Sequence, residues 1–148
     1  MAEKIATRPS VIVIKDNKVL VVKSRYGDEE FYLFPGGGVE FGETLKDAAI
    51  RETLEETGYH VRIIKPVYIN EYIDARDKSR RVLNIFFLAR LLNKKRLKIK
   101  DKKIKEVKWV SIDKIKEIDL KPEKIKKRLE KDYKNDFKDF FYSVDYKK

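Results

Sequence analysis

The sequence predicts a single α/β domain, and three observations carry that prediction. Short β-rich apolar runs precede and follow one central helix, that helix begins shortly after three consecutive glycines, and the C-terminal region repeats aliphatic and aromatic residues at helical spacing. A chain of 148 residues is long enough to bury a real core. No repeat, low-complexity tract or linker divides it, so residues 1–148 are expected to form one domain.

Val11-Ile12-Val13-Ile14 and Val19-Leu20-Val21-Val22 read as two strands joined across Asp16-Asn17, a hairpin signal. Phe31 to Phe34 is a short strand entering the glycines Gly36, Gly37 and Gly38. Thr44 followed by Asp47 forms a capping box, and Gly58 suits the left-handed position past a helix, so the helix is placed at Leu45 to Thr57. His60 to Tyr72 and Val82 to Leu92 read as longer strands around a polar loop, Asp74 to Arg80, and Glu106 to Val110 as another. Ser111 with Asp113 starts a short helix. From Pro122 the residues Ile125, Leu129, Tyr133, Phe137 and Phe140 recur at helical spacing, predicting an amphipathic terminal helix over about 122–142. Its aromatics are expected to pack on the body, and they also permit a homodimer contact or a lid.

The chemistry concentrates on the central helix. At 100° per residue Glu52, Glu55 and Glu56 share one face, spaced i, i+3 and i+4. Like charges at that spacing each destabilise a helix by roughly 0.2–0.5 kcal/mol, and carboxylates in the last turn also oppose the helix dipole. Leu45, Ala48 and Ala49 fall on the same side, with Ile50 and Leu54 opposite, so the acidic arc is not simply a solvated face. Hard divalent cations resolve the conflict, because they take carboxylate oxygens and bridge them to phosphates. Three residues without a β-carbon just upstream let the backbone turn and approach an anion or a metal.

Glu43 follows Gly37 after five residues, and Arg51-Glu52-Thr53-Leu54-Glu55-Glu56-Thr57-Gly58-Tyr59 begins after seven more. This stretch resembles the signature of the Nudix (MutT-like) hydrolases at every fixed position. The one departure is Thr53, where an aliphatic residue is usual. The resemblance implies the α/β Nudix fold, a mixed sheet sandwiched between helices, and metal-dependent hydrolysis of a phosphoanhydride in a nucleoside diphosphate derivative. Residue by residue, it implies that Glu52, Glu55 and Glu56, with the Gly36 carbonyl, bind Mg2+ or Mn2+. Glu52 is then the first choice for general base, Arg51 orients a catalytic glutamate, and Glu43 supports the loop. A further metal ligand from a later loop is expected at Glu106, with Asp101 behind it. Gly37 and Gly38 are expected to face the phosphates, and Arg8, Phe34 and Tyr72 the group beyond them.

The substrate stays open among nucleoside triphosphates, oxidised nucleotides, nucleotide sugars and ADP-ribose. The proline often found in relatives that cleave ADP-ribose is replaced here by Ala75, with Pro66 too early, and Tyr72 falls short of the tyrosine often found in diadenosine polyphosphate relatives. A Nudix-fold module that binds nucleotide or RNA with little catalysis is the alternative, but such modules normally carry a broken signature. The net charge of +11 and nine basic residues between Lys94 and Lys108 would suit RNA, although lysine-rich surfaces also serve heat adaptation and guard strand edges. No cysteine is present, excluding disulfides, thiolate metal sites and cysteine nucleophiles. The single histidine, His60, reads as a strand residue, and no Walker-type pattern occurs. With no apolar run near 18 residues and no signal-peptide core, a cytoplasmic protein without membrane partners is expected.

Overall fold

A computed structural model describes residues 5–74, 80–93, 95–99, 104 and 106–147. Strands β1 (Ala6–Lys15) and β2 (Lys18–Tyr26) meet through Ile14 opposite Val19 and Lys15 opposite Lys18. Asp16 and Asn17 both adopt positive φ, 53° and 60°, as a two-residue type I′ turn requires. Beyond the turn the strands diverge. β1 runs parallel to β5 (Arg81–Leu91), whereas β2 pairs antiparallel with β3 (Glu29–Leu33) on one edge and β6 (Glu106–Ser111) on the other.

The remaining strands are β4 (Val61–Asp74), β7 (Leu120–Lys121) and β8 (Phe141–Lys147). The sheet is mixed, in the order β7-β3-β2-β1-β5-β4-β8, with β6 attached to β2. Helix α1 (Leu45–Thr57) covers one face, where Val11, Val13, Leu20, Phe87 and Ala89 meet Ala49. The other face is closed by α2 (Glu123–Lys134) and a 3-10 helix over Ile112–Glu117, whose Ile115, Ile125 and Leu129 bury against Ile12, Val21, Tyr68 and Phe86. Strand alternation makes this possible, since Val11 and Val13 point to one core and Ile12 to the other. No helix among the described residues is long and apolar enough to cross a membrane.

Helix α1 has the predicted ends. Thr44 accepts from the Asp47 amide at 3.1 Å, Asp47 accepts from the Thr44 amide at 3.3 Å, and Gly58 closes the helix at φ 76°. Thr44→Ala therefore removes one partner of a reciprocal cap and is expected to cost about 1 kcal/mol, lowering the thermal midpoint by about 2–4 °C. An unchanged midpoint in a thermal melt would show that the packed face alone sets this helix end.

The terminal helix is shorter than the 122–142 predicted. It ends at Lys134, and Asp136 and Phe137 take φ of 54° and 53°, turning the chain out of the helix. Phe137 remains buried in the core, but Phe141–Lys147 becomes β8, running parallel to β4 with Tyr68 opposite Phe141. Helical spacing of the aromatics was thus interrupted by a turn, and the open edge of β4 took the rest as a strand.

Candidate active site

The glycine loop is held from both sides. From below, β1 pairs with it: the Val11 amide donates to the Pro35 carbonyl at 2.9 Å and the Gly37 amide to the Pro9 carbonyl at 3.2 Å. A β-carbon on Gly36 would lie 2.3 Å from Ser10 Oγ and 2.4 Å from the Pro9 carbonyl, so this approach requires glycine. From α1, Glu56 accepts the Gly36 amide at 2.7 Å, and the Glu52 carboxylate packs on Gly37, where a β-carbon would come within 2.4 Å of Glu52 Cδ. Around Gly38 a β-carbon would meet only open space.

The three helix carboxylates are not equivalent. Glu56 is buried, Glu52 is mostly covered and Glu55 is the most exposed. Burial raises the Glu52 pKa above the ordinary carboxylate range, while Arg51 opposes the rise. Arg51 gathers the acidic groups: it donates to both oxygens of Glu43 at 2.8 and 3.0 Å, to Glu52 at 3.0 Å, to Glu55 at 3.3 Å and to the Gly38 carbonyl at 2.9 Å. Hydrogen bonding from Arg51 holds Glu43 below the usual carboxylate range, and Glu43 in turn raises the Arg51 pKa. Glu43 also accepts the Glu40 amide at 2.9 Å, which ties down the turn of the loop.

Arg8 is tied to the glycine loop. Half-buried on β1, it donates to Ser10 Oγ at 2.6 Å and to the carbonyls of Phe34 and Gly36, both at 3.1 Å. Desolvation lowers its pKa, and the charges of Glu56 and Glu52 pull the other way. Arg8 thus braces the glycine loop and also borders a cleft of about 190 Å³ lined by Tyr26, Phe31, Leu33, Tyr72, Arg80 and Lys121. Tyr72 borders that cleft as well. Phe34 does not: it is fully buried, packed edge-on to Phe86 at 5.4 Å, because alternation sends Phe31 and Leu33 to the cleft and Phe34 to the core. The sequence reading missed Tyr26, Phe31, Arg80 and Lys121, and period-2 alternation through Phe31 and Leu33 was the one signal available for two cleft residues.

Glu106 is not brought to α1. It lies opposite Lys23, accepts from the Tyr32 hydroxyl at 3.3 Å and approaches Lys23 Nζ at 3.9 Å. Val19 and Val21 place Lys23 and its partner on the sheet face away from α1. Asp101 and Ala75 lie outside the described residues, as do five of the nine basic residues between Lys94 and Lys108.

Among the described residues no three acidic or histidine side chains converge as a ready-made metal cluster. Arg51 bridges Glu52 and Glu55, and one lone pair of the Gly36 carbonyl is taken by Arg8. The donor chemistry nonetheless fits a hard divalent cation: every candidate ligand is an oxygen, and Glu52 and Glu56 are already pinned against the glycine loop.

The NUDIX domain family profile matches residues 6–131. The chain is similar to an ADP-ribose pyrophosphatase from Methanocaldococcus jannaschii, with 36% identity over 52% of this chain and 46% of the relative. It is also similar to an RNA pyrophosphohydrolase from Pelagibacter ubique, with 31% identity over 71% of this chain and 75% of the relative. The chain spans about half the length of the archaeal relative. A solved NUDIX hydrolase from Nitrosomonas europaea superposes with a TM-score of 0.79 at 23% identity, covering 93% of this chain and 94% of that one, and so shares the fold. The family match over residues 6–131, with the interlocked glycine loop and α1 inside it, shows that this chain belongs to the NUDIX family.

Proposed function

We propose that the protein hydrolyses a phosphoanhydride bond in a nucleoside diphosphate linked to a further group, with Mg2+ or Mn2+ as cofactor. The observation that carries this reading is the interlock of Gly36 and Gly37 with Glu56 and Glu52, because it holds two carboxylates close against the glycine turn. A bound divalent cation would supply charge neutralisation of the diphosphate and a more acidic water. Glu52, Glu55 and Glu56 are the side chains that would hold it, with the Gly36 carbonyl.

The chain's own contribution begins with the base. Glu52, made more basic by burial, accepts the proton of the attacking water as its oxygen bonds to phosphorus and the bridging P–O bond breaks. The released phosphate group departs with the bridging oxygen. Arg51 keeps Glu52 and Glu55 from turning away, and Arg8 stops the loop from lifting off β1. The cleft beside Arg8, with Tyr26, Phe31 and Tyr72 among the cations Arg80 and Lys121, takes the nucleoside end of the substrate. Arg80 lies over the Tyr26 ring at 3.9 Å, a cation–π contact in keeping with that role.

Similarity to an ADP-ribose pyrophosphatase and to an RNA pyrophosphohydrolase suggests the panel: ADP-ribose and an RNA bearing a terminal phosphoanhydride, with a nucleoside triphosphate beside them. Incubation with Mg2+ or Mn2+ and separation of phosphate, pyrophosphate and nucleoside monophosphate is expected to show cleavage between phosphorus atoms in at least one member. No product from any member, in a protein that melts cooperatively, would reject hydrolysis in favour of binding alone.

A further inference from the structure

We infer that a cavity at the far end of α1, outside the cleft described above, is a second site for a nucleotide unit: a base against Trp109 and Tyr59, and its phosphate at Lys15 and Lys18. The cavity holds about 230 Å³ and is bordered by Lys15, Asp16, Lys18, Tyr59, Leu91 and Trp109. Its aromatic wall is pre-set. The Trp109 indole donates to the Tyr59 hydroxyl at 3.2 Å, and the two rings meet edge-on at 5.7 Å, so each ring holds the other in place at the cavity wall.

The cationic wall is equally specific. Lys15 and Lys18 are direct cross-strand partners, an arrangement of like charges that destabilises a hairpin. Val13 and Leu20, two residues away on each strand, belong to the core beneath α1, so alternation turns both exposed lysines to the face that carries Tyr59 and Trp109. Among the described residues, Asp16 is the one acidic residue bordering the cavity. The exposed Lys95, Arg96 and Lys98 reach the same end of the sheet, because the Leu97 amide donates to the Gly58 carbonyl at 2.8 Å and Asn93 accepts the His60 amide at 2.7 Å. Attraction of those three to the negative end of α1 accounts for their position. It does not account for two opposed lysines on the hairpin beside an indole, whereas a phosphate between the lysines and a ring on the aromatic wall does.

A nucleotide unit could come from a free mononucleotide or from a single-stranded RNA chain, and the site does not depend on the hydrolytic reading. Trp109 is the only tryptophan in the chain, so its emission reports this cavity directly. The full chain, with chelator present, is titrated with adenosine 5′-monophosphate and with a 5′-hydroxyl oligoadenylate, which carries no diphosphate to cleave. Saturable change in Trp109 emission is expected, weakened about tenfold or more in Lys15→Glu/Lys18→Glu and falling with added salt. Turnover of a small nucleotide substrate should be unchanged in that variant. Tighter and more salt-sensitive binding of the oligomer assigns the site to an RNA chain, and equal binding assigns it to a free nucleotide. If the charge reversal disturbs the turn, Lys15→Ala/Lys18→Ala gives the same comparison. Absence of both an emission change and calorimetric heat, or binding that survives removal of both lysines, overturns the proposal.

Discussion

Glu56→Gln is expected to lower nucleotide turnover by about 10²-fold or more while the protein stays folded, and a chelator should remove nearly all activity of the unmodified protein. The expectation rests on what glutamine keeps and what it loses. Its carbonyl oxygen can still accept the Gly36 amide, now bonded to Glu56 at 2.7 Å, so the loop keeps its anchor. The charge is lost at a buried position that holds up the pKa of Arg8 and stands among the candidate cation ligands. Glu52→Gln acts differently. If Glu52 is the base, its loss should leave a slow enzyme, about 10²–10⁴-fold down, whose residual rate still depends on the cation. Steady-state rates against Mn2+ concentration, with thermal melts of each variant, separate the two. Wild-type turnover in Glu56→Gln would remove this carboxylate from the site, and a collapsed melt would make it a structural residue only.

The second large effect is a contrast between neighbouring glycines. Gly36→Ala would push a methyl group to 2.3–2.7 Å from Ser10 and the Pro9 carbonyl, largely against backbone that cannot rotate away. Overpacking of this kind costs about 1–3 kcal/mol, or about 2–12 °C in midpoint for a chain of this size. Lifting the loop also carries its amide away from Glu56, and misplacement of about 1 Å can cost about 10²-fold in rate. Gly38→Ala meets open space at an ordinary φ and should change stability by less than about 0.5 kcal/mol. Equal effects from the two substitutions, in melts and in turnover, would show that the close approach of loop to β1 does not govern the site.

Helix α1 was legible from its residues because everything that defines it is local. The cap at Thr44, the left-handed Gly58 and the register of Glu52, Glu55 and Glu56 depend on neighbours one turn away. Thr53, the departure from the family pattern, is also explained locally: its hydroxyl donates to the Ala49 carbonyl at 2.7 Å, which lets a polar residue stay fully buried. The hairpin at Asp16-Asn17 was legible for the same reason. Phe34 and Glu106 were not, since each assignment needed to know which sheet face a strand residue would meet.

The amino-acid sequence by itself determined the helix with its acidic register, the glycine turn before it and thereby the family of the fold. Tertiary structure alone decided that Glu56 rather than Glu55 is the buried carboxylate, that Arg8 braces the loop, and that Phe141–Lys147 is a strand. The physical reason is range. Capping and helical spacing act within a turn or two, whereas Arg8 meets Gly36 across 28 residues and β8 finds β4 across some seventy, contacts that exist only once the sheet has brought distant segments side by side.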